Sequence, residues 1–467
     1  MYGEHLYKEA MLLFEKMEEE QQQPQISDKN SNHEKKGQND DASVIARKQE
    51  VAGRSKTMKA RKEQRESNYG DHQAKRRHTL IHNGRMSSNR STSEHKIESS
   101  SFSTRRLTQM ADEKKGVVGL KNLGLTCYAN ATLQCLRHIE RIPWVFTEGR
   151  YNTLFKKDAT GKRLLQQNVA KSFAEIAHLL ENGKAPGVLR PAGFWSVMKD
   201  SIRDSAVYGH FASTAPHDAH EFLMYMLETL HESISISVDM QIMKSPPTNE
   251  SEKRVVEALE VWKREFSKEY SPLVDLFHGL LHMRTRCLSC NSVTHRWESF
   301  NTLKGVVPQR TAENDANPVD LISMIKEELK GEDIEGYSCD KCSPVRTTAH
   351  RDAAIWRLPQ TLVICLKRFT YDGRKIHTRV KVPTVEPCNL KALFSEESPE
   401  KDAITDYSLR SIVDHHGGAG GGHYTAQCKD KLSSAWYVYD DENTHPIAAP
   451  MVGESTYVLF YERSTRV

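Results

Sequence analysis

The pattern of apolar and polar residues divides this chain into two unlike parts. Residues 1–110 are rich in Gln, Ser, Asn, Lys and Arg and contain no Cys or Trp, so they cannot bury enough apolar surface to offset their ordering entropy. We therefore expect residues 1–112 to be a mostly disordered N-terminal region, in which residues 2–20 could form a short helix. From about residue 113 to residue 463, apolar residues recur at helix and strand spacings, which predicts a folded domain.

Helical spacing is clear in two segments of this domain. After Cys127, apolar residues such as Ala129 and Leu133 recur at helical spacing, and Thr126 is an acceptable N-cap. Cys127 is thus expected on the first turn of a helix. Residues 252–268 place their large apolar side chains on one helical face, which predicts a helix that packs either on the core or against a partner.

Two strand-like segments near the C-terminus predict a β-hairpin. The segments 423–428 and 435–440 have strand composition and are separated by turn-like residues. If the turn is centred midway between them, His423 faces Asp440, with Cβ atoms roughly 4.5–5.5 Å apart. The register is an assumption of this prediction, because a slip of one residue would turn His423 away from Asp440. Asp441 is then the alternative partner of His423.

Composition and charge exclude some classes of protein. The chain has 467 residues, with 66 Lys and Arg against 62 Asp and Glu, a net charge of +4 that does not fit a uniformly basic nucleic-acid-binding protein. No apolar run approaches the ~20 residues of a membrane span, and the acidic first twenty residues do not resemble a secretory signal. The basic clusters at 59–62 and 75–77 indicate either nuclear import and polyanion docking or a solvated linker. We expect the nucleus, the cytoplasm or both as the compartment, and nucleic acid as a partner only through this basic region.

A nucleophile and a base can be proposed from these elements. At a helix start, unpaired N–H groups and the positive end of the dipole favour the thiolate of Cys127, although a core thiol is the alternative interpretation. Asn122, on the preceding loop, could stabilise an oxyanion together with the backbone N–H of Cys127. Asp440 could orient the imidazole of His423 so that its other nitrogen deprotonates a thiol, although a single histidine can also be structural.

Four cysteines have the spacing of a metal site. They form two CxxC pairs separated by 48 residues: Cys287 with Cys290, and Cys339 with Cys342. Two such pairs typically build a tetrahedral Zn²⁺ site that is structural, because four thiolates leave no open position. Redox chemistry or four unliganded thiols are the alternatives. The intervening chain should contain strands around 297–303 and a helix from about 318 to 330.

Taken together, these motifs resemble the ubiquitin-specific protease family of papain-like cysteine peptidases. The resemblance covers about residues 116–463, and its motifs occur in order along the chain. The matching segments include Gly119–Gln134, Asp218–Leu223, Leu366–Phe369, Gly422–Tyr424 and Trp436–Asp441.

The resemblance implies a fold, a reaction and roles for individual residues. The fold would be α+β, with a thumb, a palm and zinc-bearing fingers at about 277–345, within a catalytic domain at 113–463. Cys127 would be the nucleophile, His423 the general base, Asp440 the residue that orients the base, and Asn122 the oxyanion donor. Asp218 would contact the basic C-terminal tail of ubiquitin. The four cysteines would hold a structural Zn²⁺, and the partners would be ubiquitin, ubiquitinated proteins and regulatory subunits.

Two other functions fit parts of the sequence. One is a zinc-stabilised scaffold that binds ubiquitin or a nucleic-acid assembly without catalysis. The other is a peptidase for a different ubiquitin-like modifier. The leading hypothesis is a thiol hydrolase that cleaves the bond after the C-terminal glycine of ubiquitin.

Overall fold

A computed structural model gives the fold of the chain. It describes residues 116–146, 149–182, 187–242, 246–309, 317–403, 405–418 and 420–464. The expectations for residues 1–112, including the helix at 2–20 and the two basic clusters, lie outside the described residues. Among the described residues, no helix combines the length and the apolar character needed to cross a lipid bilayer.

The N-terminal half of the described region is mostly helical. Its α-helices are α1 (Cys127–His138), α2 (Arg141–Phe146), α3 (Tyr151–Leu154), α4 (Gly161–Glu181), α5 (Ala192–Ile202), α6 (Ala219–Ile234), α7 (Glu250–Phe266) and α8 (Pro272–Phe277). Every residue of α1 is buried, because α1 packs against α6 on one side and against the large sheet described next on the other. A buried helix therefore carries Cys127.

An eight-stranded sheet forms the C-terminal half. Its path runs β15 (Asn443–Ile447), β14 (Trp436–Asp440), β13 (Gly421–Lys429), β12 (Asp406–Gly418), β16 (Thr456–Arg463), β9 (Thr361–Lys367) and β5 (Leu303–Val306), with β11 (Cys388–Asn389) paired to β12. Strands β12, β13 and β16 each contain five or six consecutive buried residues, as expected where a strand is covered on both faces. One face of this sheet packs on α1, and this contact places β13 beside Cys127.

A second, four-stranded sheet projects from this core. Its order is β4 (Val293–Phe300), β3 (Gly279–Cys287), β8 (Arg346–Arg357) and β7 (Glu332–Ser338). Helix α9 (Leu321–Leu329) packs on β5 of the large sheet, and two short parallel pairs complete the fold. These pairs join β1 (Gly119–Leu120) to β2 (Val188–Leu189), and β6 (Val319–Asp320) to β10 (Val380–Lys381).

The sequence patterns predicted several of these elements. The helix predicted at 252–268 is α7, and it packs on the core through Ala258, Trp262 and Phe266, which confirms the helix and favours its core interpretation. The strands predicted around 297–303 and the helix predicted at about 318–330 are confirmed as β4, β5 and α9. The mixture of helices and sheets confirms the α+β class.

Candidate active site

Cys127 is the first residue of α1, as predicted, and its side chain is buried. Thr126 occupies the N-cap position, but its side chain makes no cap hydrogen bond to α1 in the described structure. Its Oγ1 instead accepts a hydrogen bond from the N–H of Leu123 at 3.0 Å, which shapes the loop that precedes the helix. The predicted N-cap position of Thr126 is thus confirmed, and a competing local bond uses its hydroxyl oxygen.

The environment of Cys127 disfavours the thiolate more than the helix start suggests. Burial is the largest influence and raises the pKa of the Cys127 thiol, and the nearby carboxylate of Asp441 raises it further. The backbone N–H groups of Tyr424, of Tyr128 and of Cys127 itself lower the same pKa without outweighing burial. The thiol thus depends on a neighbouring base to lose its proton.

His423 supplies a candidate for that base. It lies on β13 directly before Tyr424, whose backbone N–H reaches the Cys127 sulfur, so His423 is next in sequence to a residue that contacts the thiol. His423 Nε2 is 2.6 Å from Oδ1 of Asp440, and both side chains are about two-fifths exposed. This contact leaves the other ring nitrogen, Nδ1, outside the bond with Asp440.

The predicted hairpin is present, but its predicted register was wrong by two residues. Strands β13 and β14 pair Ala426 with Tyr439 and Lys429 with Trp436, and continuing this register places Asp440 opposite residue 425. The turn is displaced because Asp430 accepts hydrogen bonds from the backbone N–H and hydroxyl of Ser433, closing a loop at 430–435. An even shift keeps His423 and Asp440 on one face, so they meet as diagonal neighbours.

Asp441, next to Asp440, organises the other side of the site. Its Oδ2 accepts a hydrogen bond from Asn122 Nδ2 at 2.8 Å, and its Oδ1 accepts one from Asn130 Nδ2 at 2.7 Å. Asp441 has a backbone φ of 49°, in the left-handed region that Asp and Asn tolerate better than most residues. This conformation lets one carboxylate hold two amides, whereas the sequence had indicated Asp441 only as an alternative partner for His423.

The Asn122 side chain is fixed at both ends. Its Oδ1 accepts hydrogen bonds from the backbone N–H groups of Gly124 at 2.9 Å and Thr126 at 3.2 Å, while its Nδ2 donates to Asp441. An amide nitrogen carries two N–H groups, so one bond to Asp441 leaves the second for an oxyanion. Asn130 was missed by the sequence analysis. The signal for it was a polar residue one helical turn after Cys127, flanked by Ala129 and Ala131.

A cleft of about 300 Å³ lies over Cys127. Its lining consists of Leu125, Cys127, Tyr128, Pro216, His217, Asp218, Phe369, His415, Gly418, Gly421, Gly422 and Tyr424. At Gly422 a Cβ atom would lie 2.3 Å from His415 Nε2 and 2.4 Å from the His416 carbonyl oxygen, so only glycine fits. Glycine at this position therefore allows β13 to lie close to His415 and His416 of β12 at the cleft.

Asp218 lies in this cleft but also has structural partners. It is the N-cap of α6, where its Oδ1 accepts a hydrogen bond from the N–H of Glu221 at 2.9 Å. Its Oδ2 accepts one from the Tyr457 hydroxyl at 2.6 Å. The carboxylate is therefore held rigidly at the cleft wall, and it retains lone pairs for a further donor.

His415 is a second polar residue in the lining of the cleft. Its ring packs against Phe369 and Tyr424, at centroid distances of 5.1 and 4.7 Å. Burial lowers its pKa to about 4, with the charge of Lys375 next in importance, so its imidazole is neutral at pH 7. Its buried Nδ1 has no hydrogen-bond partner among the described residues.

The four predicted metal-ligating cysteines converge at the far end of the four-stranded sheet. All four sulfur atoms lie within 4.8 Å of one another; the Cys287–Cys342 pair is 3.9 Å apart and the Cys290–Cys339 pair is 3.6 Å apart. A hydrogen bond from the Thr347 hydroxyl lowers the pKa of Cys287 to about 6, whereas proximity to Cys290 is the main reason that the pKa of Cys342 rises to about 12. This cluster could hold a metal ion.

Comparison with known proteins places the chain in a family. The family model described as ubiquitin carboxyl-terminal hydrolase matches residues 118–461. Ubiquitin carboxyl-terminal hydrolase 5 of Saccharomyces cerevisiae is 27% identical over 375 residues, covering 74% of this chain and 45% of the yeast protein. Ubiquitin carboxyl-terminal hydrolase 2 of Rattus norvegicus is 26% identical over 368 residues, covering 78% of this chain and 57% of the rat protein.

A solved structure has the same fold. A chain of the yeast SAGA DUBm superposes with a TM-score of 0.53 at 21% identity, covering 75% of this chain and 69% of the yeast chain. This chain spans about half the length of the curated relatives it matches. Since the family model covers most of the chain and includes the cleft, the cysteine helix and the His–Asp hairpin, the protein belongs to the ubiquitin carboxyl-terminal hydrolase family.

Proposed function

We propose that this protein is a deubiquitinating thiol hydrolase that cleaves the isopeptide or peptide bond after the C-terminal glycine of ubiquitin. The observation that carries the proposal is the 2.6 Å contact between His423 Nε2 and Asp440 Oδ1. The residue after His423, Tyr424, directs its backbone N–H at the Cys127 sulfur. The activity suggested by the names of the relatives agrees with this geometry.

The reaction begins with proton transfer. His423 Nδ1 takes the proton of Cys127, because Asp440 holds Nε2 and stabilises the imidazolium that forms. The thiolate then attacks the carbonyl carbon of the terminal glycine, and the carbonyl oxygen becomes an oxyanion. In this proposal the free N–H of Asn122 and the backbone N–H of Cys127 donate hydrogen bonds to it.

Collapse of the tetrahedral intermediate releases the amine. His423 returns its proton to the leaving nitrogen, and ubiquitin remains attached to Cys127 as a thioester. The imidazole then deprotonates a water molecule, which attacks the thioester carbonyl and regenerates the thiol. One base thus serves both half-reactions.

The lining of the cleft supports a Gly-Gly tail as the substrate segment. Gly418, Gly421 and Gly422 line it without side chains, which leaves backbone beside which an extended Gly-Gly segment can lie. The fixed carboxylate of Asp218 on the wall suits a basic residue or a backbone donor of the incoming tail.

We infer that the four cysteines bind a structural Zn²⁺. Zn–S bonds of about 2.3 Å in a tetrahedron require sulfur atoms roughly 3.8 Å apart. The sulfur atoms of Cys287 and Cys342 are 3.9 Å apart and those of Cys290 and Cys339 are 3.6 Å apart, which agrees with this expected distance. Cys287, Cys290, Cys339 and Cys342 would hold the ion and clamp the end of the four-stranded sheet. Four thiolate ligands leave no position for substrate, so the ion would support the fold.

We propose the partners from this function and keep the compartment as the sequence suggested it. Ubiquitin and ubiquitinated proteins are the proposed partners, in the nucleus, the cytoplasm or both. Regulatory subunits are also proposed, since the structural neighbour belongs to the yeast SAGA DUBm.

A panel of modifier probes tests the proposed function. Ubiquitin and other ubiquitin-like modifiers, each carrying a C-terminal vinyl electrophile, are incubated with the wild type and with Cys127→Ala. We expect covalent labelling by the ubiquitin probe in the wild type and none in Cys127→Ala. Labelling by another modifier alone would support the alternative peptidase. Failure of every probe to label a folded wild type, with ubiquitin still bound, would support the scaffold.

A further inference from the structure

Three potential metal ligands meet at the base of the four-stranded sheet, in a cluster separate from the four cysteines. They are His282 on β3, His295 on β4 and Glu397 on the segment that follows β11, and their ligand atoms lie within 4.8 Å of one another. His282 Nε2 is 2.8 Å from His295 Nδ1. Residues distant in sequence thus direct two nitrogens and a carboxylate to one point.

The His282 ring is held in the orientation that a metal ligand requires. Its side chain is fully buried and stacks on Trp297, with ring centroids 5.2 Å apart and planes 6° apart. Its Nδ1 is 2.9 Å from the Ser395 hydroxyl oxygen. A histidine that binds a metal through one nitrogen usually donates from the other to an oxygen, and this contact directs the Nε2 lone pair at the cluster.

The cluster is buried on the His282 side and open to solvent on the other side. His295 and Glu397 are partly exposed, so an ion could reach the cluster from solvent.

The carboxylate of Glu397 forms an ion pair with Arg254 in this structure. Arg254 Nε, on α7, is 2.5 Å from Glu397 Oε2. The other nearby guanidinium, that of Arg284, is paired with Asp352 at 2.6 Å. A cation can therefore bind Glu397 only by displacing Arg254, whose side chain is one-fifth exposed and can move toward solvent.

We propose that His282, His295 and Glu397 form a second divalent metal site that binds Zn²⁺ in competition with Arg254. Two histidines and a glutamate are an established Zn²⁺ ligand set, with water in the fourth position. Zn–N bonds of about 2.0–2.1 Å in a tetrahedron place the nitrogens roughly 3.3 Å apart, so the two rings separate by about half an ångström on binding.

Zinc stoichiometry and titration of the full-length chain test this site. The protein is saturated at the four-cysteine cluster, freed of unbound metal and titrated with Zn²⁺ by calorimetry, with bound zinc counted by plasma mass spectrometry. We expect one additional equivalent in the wild type and its loss in His295→Ala and in Glu397→Gln. The control is His350→Ala, which removes a partly exposed histidine of the same sheet that pairs with Asp333, and it should keep the additional equivalent.

Arg254→Gln provides a test in the opposite direction. Removing the competing cation should tighten the additional Zn²⁺ by about five- to tenfold while leaving the four-cysteine ion unchanged. The proposal is overturned if neither the wild type nor Arg254→Gln takes up the additional equivalent, or if His295→Ala and Glu397→Gln retain it. Glu397→Gln keeps the shape of a partly exposed side chain, so it decides the matter even if His295→Ala does not fold.

Discussion

Replacing Asp441 with asparagine should slow the reaction while making the nucleophile easier to ionise. Asn tolerates the left-handed backbone at this position and preserves the side-chain shape, but it removes the negative charge. In the wild type the charged carboxylate accepts hydrogen bonds from Asn122 at 2.8 Å and from Asn130 at 2.7 Å. It also raises the pKa of Cys127. The substitution therefore has two opposite effects.

The size of the kinetic effect follows from the two hydrogen bonds. Charge-assisted bonds are about twice as strong as neutral ones, so their weakening costs about 1.5–3 kcal/mol in the placement of Asn122 and α1. This corresponds to a fall in kcat of about 10- to 100-fold, below the 10²–10³ expected for complete loss of an oxyanion donor. Meanwhile the pKa of the Cys127 thiol should decrease.

Two assays separate these effects. Hydrolysis of a fluorogenic ubiquitin substrate gives kcat, and the pH dependence of alkylation by iodoacetamide gives the thiol pKa. Because Asp441 acts through Asn122, Asp441→Asn should cost much less in an Asn122→Ala background than alone. Asp430→Asn, which removes a carboxylate from the hairpin turn, should leave both quantities unchanged. Unchanged kcat in Asp441→Asn, or fully additive losses in the double variant, would refute the reasoning.

Three further predictions concern the oxyanion, the metal and pH. Asn122→Ala should reduce kcat by about 10²–10³ without lowering the melting temperature by more than a few degrees, and wild-type turnover would remove Asn122 from the mechanism. Cys342→Ser should abolish hydrogen-exchange protection at the cysteine end of β3 and β7 while α1 stays protected; retained protection would argue against a structural ion. Burial lowers the pKa of His278 from 6.5 to about 4 in the folded state. As the pH falls, His278 of the unfolded chain therefore becomes protonated before His278 of the folded chain. Stability should therefore be complete above pH 6.5 and fall by up to about 3 kcal/mol as the pH drops to 4, a loss that denaturant titration should find smaller in His278→Gln.

Periodic patterns and local motifs predicted much of the fold. Helices α1 and α7 were visible because their apolar residues recur with a helical period, and β13 and β14 because strand composition flanks a turn. The CxxC spacing led to four cysteines that the fold brings together. Each of these features depends on residues close in sequence or on a strict spacing.

Features that depend on contacts between residues distant in sequence could not be predicted from local patterns. The register of the hairpin was wrong because the side chain of Asp430 closes a turn centred one residue beyond the assumed centre, which shifts the pairing by two residues. The thiolate of Cys127 was expected to be favoured by the helix start, but burial by the surrounding core dominates. The role of Asp441 depends on one left-handed residue that joins two amides more than 300 residues away.

Peptide mapping of the ubiquitin adduct tests the central claim most directly. The full-length chain, which has nine cysteines, is reacted with a ubiquitin vinyl probe, digested and analysed by mass spectrometry. The account predicts one adduct per chain, on Cys127, formed far more slowly in His423→Ala. An adduct on any other cysteine, or a rate that His423→Ala leaves unchanged, would contradict it.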